Sequence, residues 1–512
     1  MQAASCRLRT NVFTRPLIKS FRYFPNFTLP IATSQFQGRY IVMDAKSREQ
    51  SCRTKILPID PTKIRADIIP LNISSNGAIT NGHISEHEDG NEDYKNLHLA
   101  AHALQTSDIP VAFPTETVYG LGADATRSAA VKGIYKAKQR PSDNPLIVHF
   151  ASLQQLLLLL RPPNSNPSLS SQELWETLIP PIYKPLILRF WPGPLTIILP
   201  NPPHSPLASE VTAGLNTFGA RIPRNLLALL LIKFADVPLA APSANASTKP
   251  SPTAAEHVVE DLDGRIEYIV DGGPCDVGVE STVVDGLSSP PVILRPGGVS
   301  IEQLRECPGW GDVRVGYKDK ALEGGDVPRA PGMKYRHYSP KAAVVLYEVG
   351  AKRPGWKEVE VKSVKKVGLI RTKTWPRGLG LLGKEDEVNG FDVETLNGSD
   401  VFDGDNGANG YEETSDVNRF LDATSFGLTP VPTASHYVLE NEKHQLRRKI
   451  DMWDIDLGPK TEDIARGLFS ALRELDRRNV DIIFVEGIND EEGDVAAAIM
   501  NRLRKAAEAK VG

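Results

Sequence analysis

Two cationic side chains stand two residues apart in the stretch YKAKQRPSDNP, residues 135–145. Apolar residues at helical spacing precede them and predict that Lys138 lies on the inward face of a helix's last turn. Residues two apart do not share a helix face, but Pro141 disfavours the α conformation for Arg140 and extends it. Lys138 and Arg140 can therefore converge. They either complement the helix dipole or bind an anion, and the stretch taken alone favours the dipole.

Hydroxyl-rich loops follow several of the predicted strands. The segment FPTETVYGLGADA (113–125) places threonines and two glycines after a strand, and APSANASTKPSPT (241–253) is rich in hydrogen-bond donors and prolines. Each loop alone is equally consistent with a surface connection. Together they indicate a binding site, because ligands of α/β folds gather at strand ends. The side chains on offer are Thr115, Thr117, Arg221, Ser243, Asn245, Ser247, Ser251, Thr253, Ser281, Thr282 and Arg295.

The chain that must position these residues is too long for a single hydrophobic core. Its 512 residues are 41% hydrophobic and 24% charged, which predicts a globular protein of two domains. A net charge of -4 gives no overall basic signature, so any anion site must be a local patch. The apolar run LLALLLIKFA is interrupted by Lys233 and is too short to cross a bilayer, so we expect no integral membrane protein.

The N-terminal 43 residues are basic, contain several serines and threonines, and have no acidic residue before Asp44. This composition resembles a mitochondrial presequence more than a secretory signal. An unstructured basic tail, or upstream sequence that is rarely translated, is the alternative, and Met43 is a candidate second start. We expect a cytoplasmic protein with a mitochondrial form, and disorder from residue 1 to residue 93.

Alternating strands and helices predict two α/β domains. The first spans residues 94–306, with an insertion at 161–184, and the second spans residues 342–512. In the second, the alternation indicates a parallel, doubly wound sheet. A linker rich in glycine and proline, 307–341, joins the two, and an acidic tract at about 385–415 has the composition of a disordered insertion.

Three generic motifs lack the context that their functions need. GLGLLG (378–383) matches GxGxxG but neither follows a strand nor opens a helix. His98 and His102 are spaced like a metal pair, yet no third ligand is near, so we expect surface histidines. The four cysteines lack CxxC spacing, which suits a reducing compartment, and no residue is predicted to bind a metal. These cysteines are Cys6, Cys52, Cys275 and Cys307.

Five motifs occur in order along the chain: PTETVYGLGADA, KAKQRPSDNPLIVH, APSANASTKPSPT, VESTVVD and ILRPGGV. Together they closely resemble the YrdC/YwlC family, whose K-x-R and S-x-N signatures appear as Lys138/Arg140 and Ser243/Asn245. The segment APGMKYRHYSP and the second α/β domain resemble the longer, two-domain members, which are threonylcarbamoyl-AMP synthases. The resemblance is closer over residues about 95 to 341 than over the remainder.

The resemblance implies a YrdC-like first domain, a twisted mixed sheet with a concave basic face, followed by a smaller Rossmann-like domain. It implies a nucleotidyltransferase that joins L-threonine, bicarbonate or CO2, and ATP into threonylcarbamoyl-adenylate and releases pyrophosphate, with Mg2+ beside the phosphates. The product feeds the t6A modification of tRNA through a downstream threonylcarbamoyl-transfer complex. Contact with tRNA or double-stranded RNA is a further expectation.

Site residues follow from the resemblance, motif by motif. The expected nucleotide-binding residues are Arg140, Asn144, Thr217, Ser243, Asn245, Ser251 and Arg295, with Lys138 and Arg140 as the catalytic pair near the phosphates. The expected threonine-binding residues are Thr117, His149, Arg221 and Ser281. A linker tyrosine, Tyr335 or Tyr338, is expected to close on the nucleotide. Attack of a carbamate on the α-phosphate needs positioning and charge neutralisation, and these residue types supply both.

Two alternatives compete with this interpretation. A non-catalytic binder of double-stranded RNA or tRNA would use the same basic concavity, but it would not need the hydroxyl-rich loop around Ser243 or the polar side chain of His149. A dinucleotide-dependent enzyme would use the second domain, and its GxGxxG lacks the required context. The role of the second domain and the oligomeric state stay open.

Overall fold

The structure is a computed structural model of a chain that divides into Met1–Gln50 and Ser51–Gly512. It describes residues 53–64, 66–68, 72–73, 79–80, 84–86, 90–316, 338–360, 364–382, 432–439 and 449–512. Several predictions from the sequence lie outside the described residues: the presequence, Cys6, Cys52, Tyr335 with most of the linker, and the acidic tract at 385–415.

A mixed sheet of eleven strands forms the first domain. The strands of this domain are β1 (Lys55–Pro58), β2 (Ala66–Ile68), β3 (Asn72–Ile73), β4 (Ile79–Thr80), β5 (Ile84–Glu86), β6 (Val111–Phe113), β7 (Gly120–Asp124), β8 (Ile147–His149), β9 (Leu195–Pro200), β10 (Thr217–Arg221), β11 (Leu239–Ala240), β12 (Tyr268–Asp271), β13 (Thr282–Asp285), β14 (Val292–Arg295) and β15 (Arg314–Val315). The sheet order is β1-β12-β6-β7-β11-β8-β10-β9-β13-β14-β15. Strand β2 pairs with β5, and β3 pairs with β4, in two separate two-stranded sheets. The predicted mixed α/β fold is confirmed.

Helices connect these strands. They are α1 (Glu92–Thr106), α2 (Ser128–Lys138), α3 (Leu153–Leu160), α4 (Ser171–Leu178), α5 (Lys184–Phe190), α6 (Ser209–Thr212), α7 (Leu226–Ala235), α8 (Ala255–Leu262) and α9 (Ile301–Arg305). The apolar run around Lys233 is α7, and its leucines are buried in the core of this domain. No described helix combines the length and the apolar character needed to cross a membrane.

The first strand differs from the disorder predicted up to residue 93. β1 pairs in parallel with β12, with Lys55 opposite Tyr268. Leu57 and Ile64 are buried in the main core. A strand of four residues is too short to show a periodic pattern, and its partner lies more than 200 residues away, so the sequence alone did not indicate it.

The second domain is a six-stranded sheet with helices packed on it. Its elements are β16 (Ala343–Tyr347), α10 (Trp356–Val359), β17 (Lys366–Arg371), β18 (Ser435–Leu439), β19 (Ile450–Asp456), α11 (Thr461–Arg477), β20 (Ile482–Glu486), α12 (Asp494–Ala506) and β21 (Ala509–Val511). The order is β18-β19-β17-β20-β16-β21, and all neighbours are parallel except the edge pair β18–β19. The segment GLGLLG opens no helix here: Gly378 and Leu379 have positive φ in a short 3-10 turn.

Helix α11 packs directly against the first domain. A Cβ on Gly278 would lie 2.4 Å from Arg466 Cα, so only glycine permits this close approach. On the same helix, Arg473 Nη2 lies 2.8 Å from Asp261 Oδ2 of α8, and both side chains are buried. Val118 and Val279 of the first domain belong to the same apolar cluster as the core of the second domain. The two domains therefore share buried polar and apolar contacts.

Candidate active site

The polar loops predicted from the sequence converge on one open pocket. Ten of the predicted site residues line it: Thr117, Lys138, Arg140, His149, Arg221, Ser243, Asn245, Ser281, Arg295 and Tyr338. Sheet geometry explains the convergence. Strands β8 and β10 are parallel neighbours with His149 opposite Arg221. Both residues are the last of their strands, so they lie side by side at the same end of the sheet. β14 runs antiparallel to β13, which brings its last residue, Arg295, beside the start of β13.

Lys138 holds the loop that follows β11. Its Nζ donates to the carbonyl oxygen of Ser243 at 2.5 Å and to that of Asn245 at 2.6 Å. The side chains of the two loop residues are joined in turn, since Ser243 Oγ donates to Asn245 Oδ1 at 2.5 Å. Burial, aided by the nearby charge of Arg140, holds the pKa of Lys138 well below its usual range. Lys138 thus fixes the shape of the loop as well as lining the pocket.

Arg140 reaches the pocket because the chain reverses at Gln139. That residue adopts the left-handed conformation, with φ 51° and ψ 49°, and ends α2. The N–H of Arg140 donates to the carbonyl of Tyr135 at 3.0 Å, which closes a Schellman-type end. The sequence correctly predicted that the helix ends here and that Lys138 and Arg140 line one pocket. It assigned the turn to Pro141 and missed the left-handed residue before Arg140.

Arg221 is the centre of a buried polar group. Its Nη2 lies 2.7 Å from Glu116 Oε1, its Nη1 donates to Thr117 Oγ1 at 3.1 Å, and its Nε donates to the carbonyl of Gly193 at 3.2 Å. Thr117 Oγ1 also lies 2.9 Å from Thr115 Oγ1. This network fixes the plane of the guanidinium, which is the geometry needed to grip a carboxylate with two parallel hydrogen bonds.

His149 is buried and neutral near physiological pH. Burial, together with the charge of Arg221, lowers its pKa from 6.5 to about 3. Its ring packs edge-on to Phe113, with centroids 6.5 Å apart. Among the described residues no partner bonds to His149 Nδ1, although that atom is buried. A neutral imidazole lining a pocket with an unused ring nitrogen offers a hydrogen bond to a ligand.

Arg295 is anchored by the residue that precedes β13. Its Nε and Nη2 donate to the carbonyl of Ser281 at 3.1 and 3.0 Å, and Nη2 also lies 3.0 Å from Ser281 Oγ. Ser281 Oγ in turn bonds to Thr196 Oγ1 at 2.8 Å. Burial lowers the pKa of Arg295 from 12.5 to about 10, so it is charged at neutral pH.

Tyr338 closes one side of the pocket. It lies at the end of the linker, has a φ of 66°, and is buried. Its ring stacks on Phe469 of α11 with centroids 5.2 Å apart, and the next residue, Ser339, donates its N–H to the carbonyl of Thr248. Tyr338 is thus the described member of the predicted tyrosine pair.

Three predicted nucleotide-binding residues do not line the pocket. Ser251 is fully buried and donates to Glu280 Oε1 at 2.7 Å, so it supports a pocket residue from behind. Asn144 is buried in the turn after α2, where Tyr135 Oη donates to its carbonyl at 2.9 Å. Thr217 begins β10 while Arg221 ends it, so the two Cα atoms are about 13 Å apart. Binding roles for these residues stay predictions.

The sequence did not single out the two acidic residues of the site. Glu116 pairs with Arg221, and Glu280, which lines the pocket, pairs with Arg502 of α12. Burial alone would raise the pKa of Glu280, but Arg502, Arg295 and Ser251 Oγ lower it to about 2. Each of these glutamates lies inside a motif that was expected to bind anions, and that position could have revealed it. A buried carboxylate needs a cationic partner, so it predicts an arginine or lysine nearby.

The pocket is suited to binding anions rather than to nucleophilic catalysis. Three arginines, Arg140, Arg221 and Arg295, outnumber two glutamates. The neutral state of His149 makes it a poor proton acceptor near neutral pH. No group of three or more His, Cys, Asp or Glu side chains able to hold a metal occurs in the described part of the chain.

The chain matches known proteins along most of its length. Residues 103–297 match the Sua5/YciO/YrdC domain family, described as "Telomere recombination", and residues 299–508 match the family described as "Threonylcarbamoyl-AMP synthase, C-terminal domain". A relative from Schizosaccharomyces pombe, named threonylcarbamoyl-AMP synthase, is 42% identical over 80% of this chain and 88% of its own. One from Bacillus subtilis with the same name is 39% identical over 80% of this chain and 93% of its own.

A solved structure extends the likeness to three dimensions. The crystal structure of Pyrococcus abyssi Sua5 complexed with L-threonine is 33% identical, with a TM-score of 0.58. The match covers 90% of this chain and all of that one. The two domain matches, the identity with full-length relatives and the shared fold agree, and the chain belongs to the two-domain threonylcarbamoyl-AMP synthase family.

Proposed function

We propose that this chain is a nucleotidyltransferase that forms threonylcarbamoyl-adenylate and pyrophosphate from L-threonine, bicarbonate or CO2, and ATP. The observation that carries the proposal is one pocket lined both by the buried Arg221–Thr117 group and by Arg140 and Arg295. The membership of the chain in the family supports the reaction, and the L-threonine bound to the P. abyssi relative supports the substrate.

Threonine binds at the wall formed by Arg221, Thr117 and His149. Two of the five guanidinium N–H donors of Arg221 donate to Gly193 and Thr117, and Nη2 is ion-paired with Glu116. The remaining N–H groups bind the amino-acid carboxylate. Because His149 is neutral, its ring nitrogen accepts or donates one hydrogen bond without repelling the ammonium group of the substrate. Desolvation in this buried wall strengthens both contacts.

ATP binds beside Arg140, Arg295 and the loop held by Lys138. Arginine side chains grip phosphate oxygens with two parallel hydrogen bonds, and the buried Arg295 is held rigidly by Ser281. The loop from Ser243 to Thr248, fixed by Lys138, forms the wall on which the nucleotide lies. The cations offset the phosphate charge that otherwise repels an incoming carbamate.

The reaction needs no protein nucleophile. The ammonium group of threonine first loses a proton to solvent water. The free amine then attacks the carbon of CO2 and loses a second proton to water, which gives a carbamate. A carbamate oxygen then attacks the α-phosphorus of ATP, the bond from this phosphorus to the bridging oxygen breaks, and pyrophosphate leaves. The protein contributes orientation of the two substrates and stabilisation of charge at the phosphates, which are the main sources of acceleration in such transfers.

Mg2+ would accompany the phosphates of ATP and supply further neutralisation of their charge. The two glutamates at the site are ion-paired with arginines. The oxygen ligands that remain for the ion are therefore those of the phosphates and of water molecules. We further propose that the adenylate passes to a tRNA-modifying complex that makes t6A.

Pyrophosphate release by the purified chain tests this function. We expect release from ATP that requires both L-threonine and bicarbonate, with threonylcarbamoyl-adenylate detected by mass spectrometry. Omission of threonine is the internal control. Salt-sensitive binding of RNA without threonine-dependent turnover would contradict the proposal and support the RNA-binding alternative.

A further inference from the structure

Arg502 is a buried arginine of the second domain that reaches the pocket wall of the first. It lies on α12 and its exposed fraction is 1%. Its Nε donates to Glu280 Oε2 at 3.0 Å, and its Nη2 lies 3.0 Å from the same oxygen. Its Nη1 donates to the carbonyl of Pro296 at 2.6 Å. One guanidinium therefore joins the segment before β13 to the segment after β14.

These two segments carry residues of the proposed nucleotide wall. Glu280 lines the pocket, and the next residue, Ser281, accepts hydrogen bonds from Arg295. Pro296 directly follows Arg295 in the chain. The segments are packed without a gap, since a Cβ on Gly297 would lie 2.3 Å from the carbonyl oxygen of Glu280. Arg502 is therefore bonded to Glu280 of this wall and to the residue that directly follows Arg295.

The second domain also holds Tyr338 from two directions. The ring stacks on Phe469, and the guanidinium carbon of Arg502 lies 6.0 Å from its centroid. Arg502 thus contacts the acidic side chain, the backbone beside Arg295 and the aromatic side of one pocket.

The contact between Arg502 and Glu280 affects the net charge of this pocket wall. Glu280 is ionised at neutral pH and would repel the phosphates of ATP. With Arg502 in place, this wall has two guanidinium groups, those of Arg295 and Arg502, against one carboxylate, and it is net positive. Without Arg502, the excess of positive charge at this wall, to which Lys505 of α12 also contributes, falls by one, and the buried carboxylate of Glu280 loses its ion-pair partner.

We propose that Arg502 is a positioning residue for the nucleotide half of the pocket, through which the second domain sets the charge and the geometry of the wall formed by Glu280 and Arg295. The inference rests on the proposed function, because it takes the bound anion to be ATP. It predicts that the second domain controls ATP affinity more than threonine affinity.

Calorimetric binding of ATP without threonine and bicarbonate tests the inference on the full chain. We expect Arg502→Met to weaken ATP binding by about tenfold or more, because removing one partner of a buried pair leaves the other uncompensated. Threonine binding should change by less than about threefold, and Arg502→Lys should fall between wild type and Arg502→Met. Adding Glu280→Gln to Arg502→Met should recover most of the ATP affinity, because both charges are then absent.

The matched control is Arg504→Met on the same helix. Arg504 lies 2.9 Å from Glu348 and 2.6 Å from Asp490, an ion-pair group that does not line the pocket. This variant should lose thermal stability yet bind ATP like the wild type. Equal ATP affinity in Arg502→Met and Arg504→Met would overturn the inference. So would a double variant that folds, by circular dichroism, but binds ATP no more tightly than Arg502→Met.

The readout separates this inference from the proposed function. Wild-type protein that binds ATP but releases no threonine-dependent pyrophosphate contradicts the proposed function, while the binding series still decides the role of Arg502. If Arg502→Met does not fold, Arg502→Lys and the charge-free double variant carry the same comparison. In that case, a double variant with less than a third of the ATP affinity of the wild type overturns the inference.

Discussion

Lys138 Nζ lies 2.6 Å from the carbonyl oxygen of Asn245, which is 107 residues further along the chain. The same nitrogen bonds to the carbonyl of Ser243, so one side chain fixes the turn that forms a wall of the pocket. A cation that the sequence predicts only as a partner for phosphates is therefore also a structural tie. In the proposed function the two roles are inseparable, because the loop must be formed before a nucleotide can lie on it.

Replacing Lys138 by methionine should remove both the hydrogen bonds that fix this wall and the amino group itself. The change keeps the length of the side chain but leaves two carbonyl oxygens without their donor, at a cost of about 1–3 kcal/mol for each. We expect pyrophosphate release to fall by about a hundredfold or more. Steady-state assays check this, with Lys136→Met as the control, since Lys136 is exposed on the same helix. Equal activity in the two variants would show that the wall does not depend on Lys138.

Arg221→Lys should weaken threonine binding selectively. Lysine retains the charge but cannot contact Thr117, Gly193 and a carboxylate in one plane. We expect the KM for threonine to rise by about tenfold or more, with a smaller change in the KM for ATP. Arg224→Lys is the matched control, because Arg224 lies three residues on and pairs with Asp276 at the surface. An unchanged KM for threonine in Arg221→Lys would refute the assignment of the carboxylate site.

Gly297→Ala should disrupt the pocket by direct collision. Its Cβ would lie 2.3 Å from the carbonyl oxygen of Glu280 and 2.4 Å from the carbonyl carbon of Ser281, and backbone atoms cannot move aside cheaply. We expect a lower melting temperature and loss of turnover. Gly311→Ala is the control, because a Cβ there meets no atom within 4 Å. A Gly297→Ala protein with wild-type stability and activity would show that the close packing is not required.

His149 makes the stability of the fold depend on pH. Its pKa in the folded protein is about 3, below its ordinary value of 6.5, so the unfolded chain takes up the proton first as the pH falls. The stabilisation that depends on neutral His149 is therefore fully present above pH 6.5, and it is lost as the pH falls from that value to about 3. Between about pH 5.5 and 4 this one group should contribute about 1.4 kcal/mol per pH unit.

Urea unfolding at several pH values measures this slope. In His149→Gln, the slope of the free energy of unfolding against pH should be smaller over that range by about the contribution of one proton. In the control His102→Gln, whose histidine is exposed, the slope should equal that of the wild type. Identical slopes in all three proteins would mean that His149 is not buried in its neutral form.

Local patterns predicted more of the site than long-range contacts did. Lys138, Arg140, Ser243 and Asn245 were found because each belongs to a short motif, and the structure brings all four to one pocket. Glu280 and Arg502 lie 222 residues apart, and only the docking of the two domains joins them, so no motif could reveal the pair. Likewise, β1 pairs with β12 more than 200 residues later, so no local pattern could indicate the pairing.

Local backbone conformation was the second feature that the sequence did not predict. Proline marked the end of α2 correctly, but the reversal is made by Gln139, a residue type that rarely adopts positive φ. Thr217 is a different case: no sequence pattern indicated the strand β10, and the position of Thr217 at the start of that strand separates it from Arg221. Which end of a strand faces a pocket depends on sheet topology, and the order of eleven strands is not encoded in any one segment.

The most direct test of the whole account is the mass-spectrometric detection of threonylcarbamoyl-adenylate after incubation of the full chain with ATP, L-threonine and bicarbonate. We expect the product to form in step with pyrophosphate in the wild type. At a threonine concentration below the wild-type KM, its rate of formation should fall by about tenfold or more in Arg221→Lys and by about a hundredfold or more in Lys138→Met, while Arg224→Lys and Lys136→Met retain it. Absence of the adenylate from wild-type protein that is folded and binds both substrates would contradict the account.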